Sequence, residues 1–508
     1  MTTTPDPPPL AAERERRLHP WSWLFVLIGS VRQFLVPLAV LVIFGGRREE
    51  GVQLLVAGAV VLVLALVSVW RYFTYRYRID GDSLIVRSGL LERSLRQVPF
   101  SRIHNVELRQ TLLHRLFGVA EVKLESAGGT RPEAQMRVLK LDDALALERL
   151  IRHRGRDVAG PAQGEAGGAA EGDTLLALSS AEIVRLGLIS NRGMIVVGAA
   201  LALSWQVLPE NMVKRAFDLV WREAFGYVEH LDGGSWATAL AIAGVVALAL
   251  VLVRLFSVLL ALVRYHGFRL QAHGRRLTVE RGLLARVRSS VSRRRIQAWT
   301  LREGVLHRWF SRRSLGIDTA GAQAEGSEAQ SRDPPELAPI ATPEACDGLL
   351  RELLGDAAWP PEGWQPLHPR AWQRLLVGDA VFAALLVAGL CWYLGPWGLL
   401  GLLWLPWGWL LATRHARFAG YHADARLVAV REGWWSRHWR FAEIDKLQAL
   451  QLRQSPLDRR FGMASLWLDT AGAGAASQPL RMRYLPEAQA RELYAGLGRD
   501  VARRQLRW

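Results

Sequence analysis

The sequence predicts a membrane protein of three repeated units, each a pair of transmembrane helices followed by a small basic β-rich domain closed by a helix. Three observations predict it. Half of the 508 residues are hydrophobic, yet the formal net charge is +17, so apolar and basic residues are segregated along the chain. The long apolar stretches come in pairs. A block with constant internal spacing occurs three times, the mark of an internal duplication.

The first apolar pair is Phe34–Gly46 and Val52–Trp70, the second Met194–Leu208 and Trp236–Val263, the third Ala380–Leu394 and Pro396–Leu411. Spanning a bilayer takes about 20 apolar residues, which predicts six spans. The first member of each pair is short and starts beside a polar residue: Arg32, Arg192 or Asp379. Upstream lie mildly amphipathic stretches, Trp21–Ser30, Ala181–Ser190 and Ala371–Leu376. They read as in-plane interfacial helices whose arginines snorkel to the headgroups; the alternative is intramembrane charge on an ion path. Arg254 lies well inside the second member of the second pair, and a long helix lets it reach the inner interface.

Basic residues set the orientation. The connectors within pairs carry Arg47, Arg48, Lys214, Arg215 and Arg222. The other side carries many more, among them Arg14, Arg16, Arg17, Arg71, Arg76, Arg78, Arg264, Arg269, Arg414 and Arg417. Both termini and all three domains are therefore expected in the cytoplasm, at the inner membrane of a bacterium. Met1–Arg17 is Pro-rich and then charged, without the apolar core of a cleaved signal peptide. Two distant cysteines, Cys346 and Cys391, exclude a disulfide framework and match no metal-ligand spacing.

The repeat is visible in RIHNVELRQTLLHRLFG (Arg102–Gly118), RIQAWTLREGVLHRWFS (Arg295–Ser311) and KLQALQLRQSPLDRRFG (Lys446–Gly462). Gly89, Gly282 and Gly433 precede these blocks at one spacing, in the frames VRSGLLER, VERGLLAR and VREGWWSR. Downstream come ESAGG (Glu125–Gly129) and two copies of DTAGA, at Asp318–Ala322 and Asp469–Ala473. RYRIDGDSLIVRSG reads as a tight hairpin, and Val106–Leu108 and Val119–Leu124 as strands. TLLHRLFG reads as one helical turn closed by Gly118, with Leu112, Leu113, Leu116 and Phe117 plugging the β domain from within. A helix ends each copy: one capped by Asp142, one by Thr342 with Pro343 at its first position, one opened by Pro486.

These motifs resemble the bacterial pleckstrin-homology-like domain of YdbS/YdbT-type membrane proteins. The L-H-P-x-x-W entry at Leu18–Trp23, echoed at Leu367–Trp372, is similar too, so the resemblance runs from about Leu18 to Arg504. It implies three PH-like β-barrel domains, each of seven strands capped by a C-terminal helix. The second copy departs from the pattern: it has LREGV in place of L-R-Q-x-L and a polar insertion, Ala324–Pro335. The expected partition is a disordered tail (1–17), interfacial helix and first pair (18–71), domain 1 (72–154), a flexible linker (155–177), second pair (178–264), domain 2 (265–355), linker and third pair (356–417), and domain 3 (418–508).

Sequence signatures of P-loops, zincins, serine hydrolases and dinucleotide folds are missing. GAGAAS (Gly472–Ser477) reads as a turn, and His104, His114 and His307 as structural or surface residues. The expectation is a non-enzymatic scaffold without cofactor, metal or catalytic residue, and a six-span transporter or export component is the alternative. Arg286, Arg288 and Arg293, Arg294 and Arg295 of domain 2, with Arg102, Arg109 and Arg115 of domain 1, form the candidate surface for anionic lipid or a protein partner. Nucleic acid is not expected, because no aromatic stacking platform accompanies the charge. The resemblance further implies a smaller single-domain PH-like membrane protein as partner, and a role in envelope homeostasis or stress resistance.

Overall fold

The computed structural model describes residues 16–31, 50–89, 94–126, 134–157, 173–207, 234–319, 336–355, 357–471 and 479–503, with a few isolated positions between 212 and 218. The expected span Phe34–Gly46, the insertion Ala324–Pro335 and the turn Gly472–Ser477 lie outside these.

Among the described residues every unit has seven strands, split four and three. The first contains β1 (Arg16–Arg17), β2 (Arg76–Asp80), β3 (Ser83–Ser88) and β4 (Ser94–Pro99), then β5 (Ile103–Thr111), β6 (Val119–Ser126) and β7 (Ala134–Lys140). The second contains β8 (Asp173–Ala177), β9 (Arg269–His273), β10 (Arg276–Arg281) and β11 (Ala285–Ser292), then β12 (Ile296–Glu303), β13 (Arg313–Thr319) and β14 (Glu336–Ala341). The third contains β15 (Gln365–Pro366), β16 (Gly420–Ala423), β17 (Leu427–Glu432) and β18 (Arg437–Glu443), then β19 (Leu447–Arg453), β20 (Met463–Thr470) and β21 (Leu480–Pro486). The helices Leu141–Asp157, Pro343–Leu354 and Glu487–Arg503 end the three units. The first strand of each unit precedes its membrane segment, so Arg16–Arg17 and Asp173–Ala177 are sheet where tail and linker were expected.

Local sequence explains these elements. Gly81 (φ +53°) makes the β2–β3 turn. Gly282 and Gly433 also have positive φ, and a Cβ there would fall 2.0 Å from the carbonyl oxygens of Ala285 and Ser436, so only glycine fits these tight loops. Thr342 caps its helix by accepting from the Ala345 amide at 3.2 Å, leaving Leu349, Leu350, Leu353 and Leu354 on the buried stripe.

In each unit the two sheets sandwich one core. In the first, Leu84, Val86 and Val98 of one sheet meet Val106, Val122, Leu124 and Met136 of the other, with Leu147 and Ile151 of the closing helix. Among the described residues the expected PH-like barrel does not close, since the fourth and fifth strands of a unit do not pair. A short 3-10 turn carries the chain from the fourth strand to the fifth, and in the first two units the fifth strand turns its other edge to the next unit. β5 pairs with β11, and β12 with β18, both antiparallel. The result is two continuous seven-stranded sheets, β7-β6-β5-β11-β10-β9-β8 and β14-β13-β12-β18-β17-β16-β15, flanked by a four-stranded sheet (β1–β4) and a three-stranded one (β19–β21). The two junctions share one register. Leu108 faces Arg288, and their repeat counterparts Leu301 and Trp439 face each other in the same way.

Among the described residues two stretches, Ala239–Tyr265 and Ala371–Phe418, are long and apolar enough to cross a membrane. They become three if Ser180–Ile189 and Arg192–Trp205, bent by 51°, count as one span. Within 371–418, the helices Ala371–Leu394 and Trp404–Phe418 are joined by a 3-10 segment. A Cβ at Gly401 would approach Val387 to 3.0 Å, and one at Gly408 would approach Asp379 to 2.9 Å, so the two legs run antiparallel in close contact. In the second unit Gly193 meets Ser257, its amide donating to the hydroxyl at 3.1 Å.

Two charges of the second membrane segment, Arg254 and Arg192, have structural partners, and Arg32 lies outside the described residues. Arg254 donates to the carbonyls of Leu188 (3.1 Å) and Ser190 (3.2 Å) and to Asn191 Oδ1 (3.3 Å). It thereby satisfies acceptors that the end of helix Ser180–Ile189 leaves open. Arg192 pairs with Glu336 of β14 at 2.9 Å and with the Tyr265 hydroxyl, which itself donates to Glu336. This network ties the second membrane segment to its own β domain.

Candidate functional site

Two kinds of surface emerge, an apolar rim where the units meet the spans and a pair of sheet edges at the ends of the array.

The rim begins with the helical turn after the fifth strand. Leu112, Leu113 and Leu116 were expected to plug the β domain; instead they are exposed, Leu116 at 77%. Phe117 packs outward against Trp21 (5.0 Å), in the turn before the helix Ser22–Val31, and against Phe25 (6.1 Å) within that helix. Across the junction, Arg115 donates to the Leu283 carbonyl at 3.4 Å, which brings the turn beside the exposed Leu283 and Leu284. That loop adjoins the end of a membrane helix, where the Leu283 amide donates to the Val263 carbonyl at 2.9 Å. The second junction repeats the arrangement. Arg308 donates to the Trp435 carbonyl at 3.2 Å, and Trp309 and Trp435 are exposed. Arg414 of the membrane hairpin lies over the Trp434 ring at 5.5 Å. Aromatic and aliphatic side chains edged with arginine at the ends of spans match the composition of a membrane interface.

The helix that leads into each membrane segment is clasped to the turn region by a different chemistry, and in unit 3 the expected interfacial stretch Ala371–Leu376 is continuous with the helix Ala371–Leu394. In unit 1, Phe25 packs against His114 with ring centroids 4.3 Å apart and the planes tilted by 43°. In unit 2, Glu182 receives two bonds of 2.8 Å from Arg312. In unit 3, Arg374 bonds Asp458 at 2.8 Å, and Asp458 occupies the repeat position of His114 and His307. Burial alone would raise the Asp458 carboxyl, but bonds from the Ser455 amide and hydroxyl and from Arg374 outweigh it and hold the group below the usual carboxylate range. A depressed folded pKa adds stability above the unfolded value, about 3.9, and that stability is lost as pH falls through the folded value. Asp458→Asn is therefore expected to cost about 1–3 kcal/mol at neutral pH. In thermal melts the gap to wild type should stay constant above pH 5 and close in stronger acid.

The arginines singled out in the sequence are not brought together in one patch. Arg286, Arg288 and Arg109 stand on β11 and β5 inside the first junction, where Arg286 faces Gln110 and Arg109 faces Val287. Arg288 is engaged by Glu280 at 3.2 Å and approached by Glu148 at 3.9 Å. Arg293, Arg294 and Arg295 form the 3-10 turn at the far end of β11 from the membrane loop. Eight residues of strand separate the two by about 25 Å, so these three do not share the rim. Burial lowers the Arg295 pKa to about 10. Arg102 is exposed on the equivalent turn of unit 1. Among the described residues, no group of three or more His, Cys, Asp or Glu side chains is placed to hold a metal ion.

Sequence reasoning missed the rim and the shared sheets. The signal for the rim was the pair of large apolar residues after the repeated glycines Gly282 and Gly433, Leu283–Leu284 and Trp434–Trp435, in a loop where solvent would be expected.

Three membrane-attached sandwiches, each with seven strands and one closing helix, define a class, and the family comparison agrees. The model for the bacterial PH domain matches residues 24–155, 225–352 and 375–501, and the chain belongs to that family. The UPF0699 transmembrane protein YdbT of Bacillus subtilis (strain 168) is similar to it, 23% identical over 410 residues that cover 77% of this chain and 79% of the relative. No solved structure matches the chain.

Proposed function

We propose that this protein is a non-enzymatic inner-membrane scaffold whose PH-like units sit on the cytoplasmic face, bind the anionic leaflet through their rim and offer their sheets to protein partners. One observation carries the reading: at both unit junctions, exposed apolar side chains and arginines sit beside the ends of membrane helices. An exposed leucine such as Leu116 gains about 1.5–3 kcal/mol on full burial, and each near-surface basic residue adds about 1 kcal/mol at an anionic leaflet. Arginine crowding on the domain side of the spans supports the cytoplasmic orientation. A smaller single-unit PH-like membrane protein is one partner this reading accommodates, and envelope homeostasis is the role carried over by resemblance.

The test is a photoreactive benzoylphenylalanine placed at Leu116, at Leu284 or, as the distal control, at Arg294, in the full chain in native membranes. Lipid adducts are expected at the first two positions and not at the third. Protein or water products alone at Leu116 and Leu284 would remove the lipid contact. A C-terminal reporter active on the outer side of the membrane would remove the orientation.

A further inference from the structure

The two internal junctions define a rule: the fifth strand of one unit pairs with the fourth strand of the next, in one register. Applied to three units in series, the rule leaves one fifth strand and one fourth strand over. These are β19, which pairs only with β20, and β4, which pairs only with β3, among the described residues. We propose that β19 of one copy of this chain pairs antiparallel with β4 of a second copy, so that the units continue head to tail from molecule to molecule. The inference rests on the scaffold reading but not on its lipid contact.

Exposure marks both strands as incomplete. Ala298 and Thr300 of β12 are buried by β18 and its surroundings, whereas their counterparts Ala449 and Gln451 on β19 are exposed. On β18, Arg440, Phe441 and Ala442 are buried, whereas β4 has four exposed residues in sequence, Ser94 to Gln97. Leu95 is 73% exposed, an apolar residue on an open strand edge of the kind that proteins usually blunt or cover.

The shared register predicts the partners residue by residue. Leu452 falls opposite Leu95, as Leu301 falls opposite Trp439; Gln451 falls opposite Arg96 and Ala449 opposite Val98. Charges then fit as well. In the second junction Arg440 bonds Thr300 at 2.9 Å and Asp318 at 2.5 Å across the unit boundary. The repeat counterpart of Arg440 is Arg96, and those of Thr300 and Asp318 are Gln451 and Asp469. The same guanidinium, carboxylate and polar neighbour are thus present on the two free edges, with Arg96 and Asp469 both exposed. A second contact repeats: Lys446 donates to the Arg294 carbonyl at 3.0 Å, and the matching positions on the free edges are Arg102 and Asp445, of opposite charge. An interface of this head-to-tail kind closes into a ring or runs on as a filament.

The fit to a second copy is tested on the full chain in native membranes, in a Cys391→Ser background. Leu95→Cys and Leu452→Cys are made as separate, differently tagged chains and co-expressed. Mild oxidation is expected to give a disulfide dimer carrying both tags, while Leu95→Cys with Leu450→Cys, out of register, gives at least tenfold less. Arg96→Asp should abolish the dimer, and adding Asp469→Arg on the other chain should restore it. Absence of the mixed-tag dimer from well-inserted chains overturns the proposal. So does a double variant that only cross-links within one chain, or Leu452→Cys captured by a smaller PH-like protein in place of its copy. A chain that yields lipid adducts at Leu116 yet stays monomeric sinks this inference and leaves the lipid reading intact.

Discussion

Replacing Arg440 with alanine is expected to destabilise the junction of the second and third units by about 3–5 kcal/mol. Arg440 is 3% exposed and its partner Asp318 7%. Removing the cation leaves a buried carboxylate without its counter-charge, and the desolvation cost of that carboxylate is no longer offset. The loss exceeds anything a surface pair contributes. It should appear as a lowered melting temperature in detergent and as new proteolytic cleavage between 432 and 447. Asp318→Ala should do comparable damage. The double replacement Arg440→Met with Asp318→Leu should recover most of the loss, because the penalty lies in the orphaned charge more than in the absent bond. A double variant as unstable as either single one would contradict this account.

The neighbouring residue makes the second large prediction. Phe441 belongs to the third unit by sequence, yet it lies in the core of the second. Its ring sits 4.2 Å from that of Trp359 and stacks near-parallel to Trp299 at 6.3 Å. Phe441→Ala is expected to cost about 3–5 kcal/mol through lost burial and the cavity left between two rigid indoles. Phe441→Leu should cost less, because it keeps most of the volume. Because the side chain crosses a unit boundary, the second unit should lose protection from hydrogen exchange although the substitution is in the third. Protection lost from the third unit alone would contradict the shared core.

Much of the fold is legible in the sequence because it depends on local rules. Gly89, Gly282 and Gly433 mark a backbone that only glycine adopts, Thr342 and Pro343 mark a helix start, and the period-2 run Val119–Leu124 marks a strand. The partner of a strand edge is not local. β5 shows the same alternation whether it pairs within its unit or with β11, since register fixes which face is buried and not which strand is adjacent. Leu112, Leu113 and Leu116 were misplaced for a different reason. The rule that apolar side chains go inside assumes water outside, and under the lipid contact proposed above the bilayer is a second, apolar solvent. The arginines of the candidate surface were legible as charge but not as placement: Arg288 is held by carboxylates in a junction, and Arg293–Arg295 end a strand that leads away from the membrane.

The pairing of β5 with β11 also sets an order of events during synthesis. Residues 103–111 must find residues 285–292, and the second membrane segment is made between them. Until the helix Gly234–Tyr265 has left the ribosome and entered the bilayer, the first unit carries an open strand edge with no partner yet translated. At about 5–20 residues per second, that interval lasts on the order of 10–35 s. A nascent chain of this protein is therefore sticky for longer than one whose domains close on themselves, and the same holds again for β12 while the third hairpin inserts. Neighbouring ribosomes on one message hold such edges close together, which makes correct assembly a matter of insertion speed as well as of sequence.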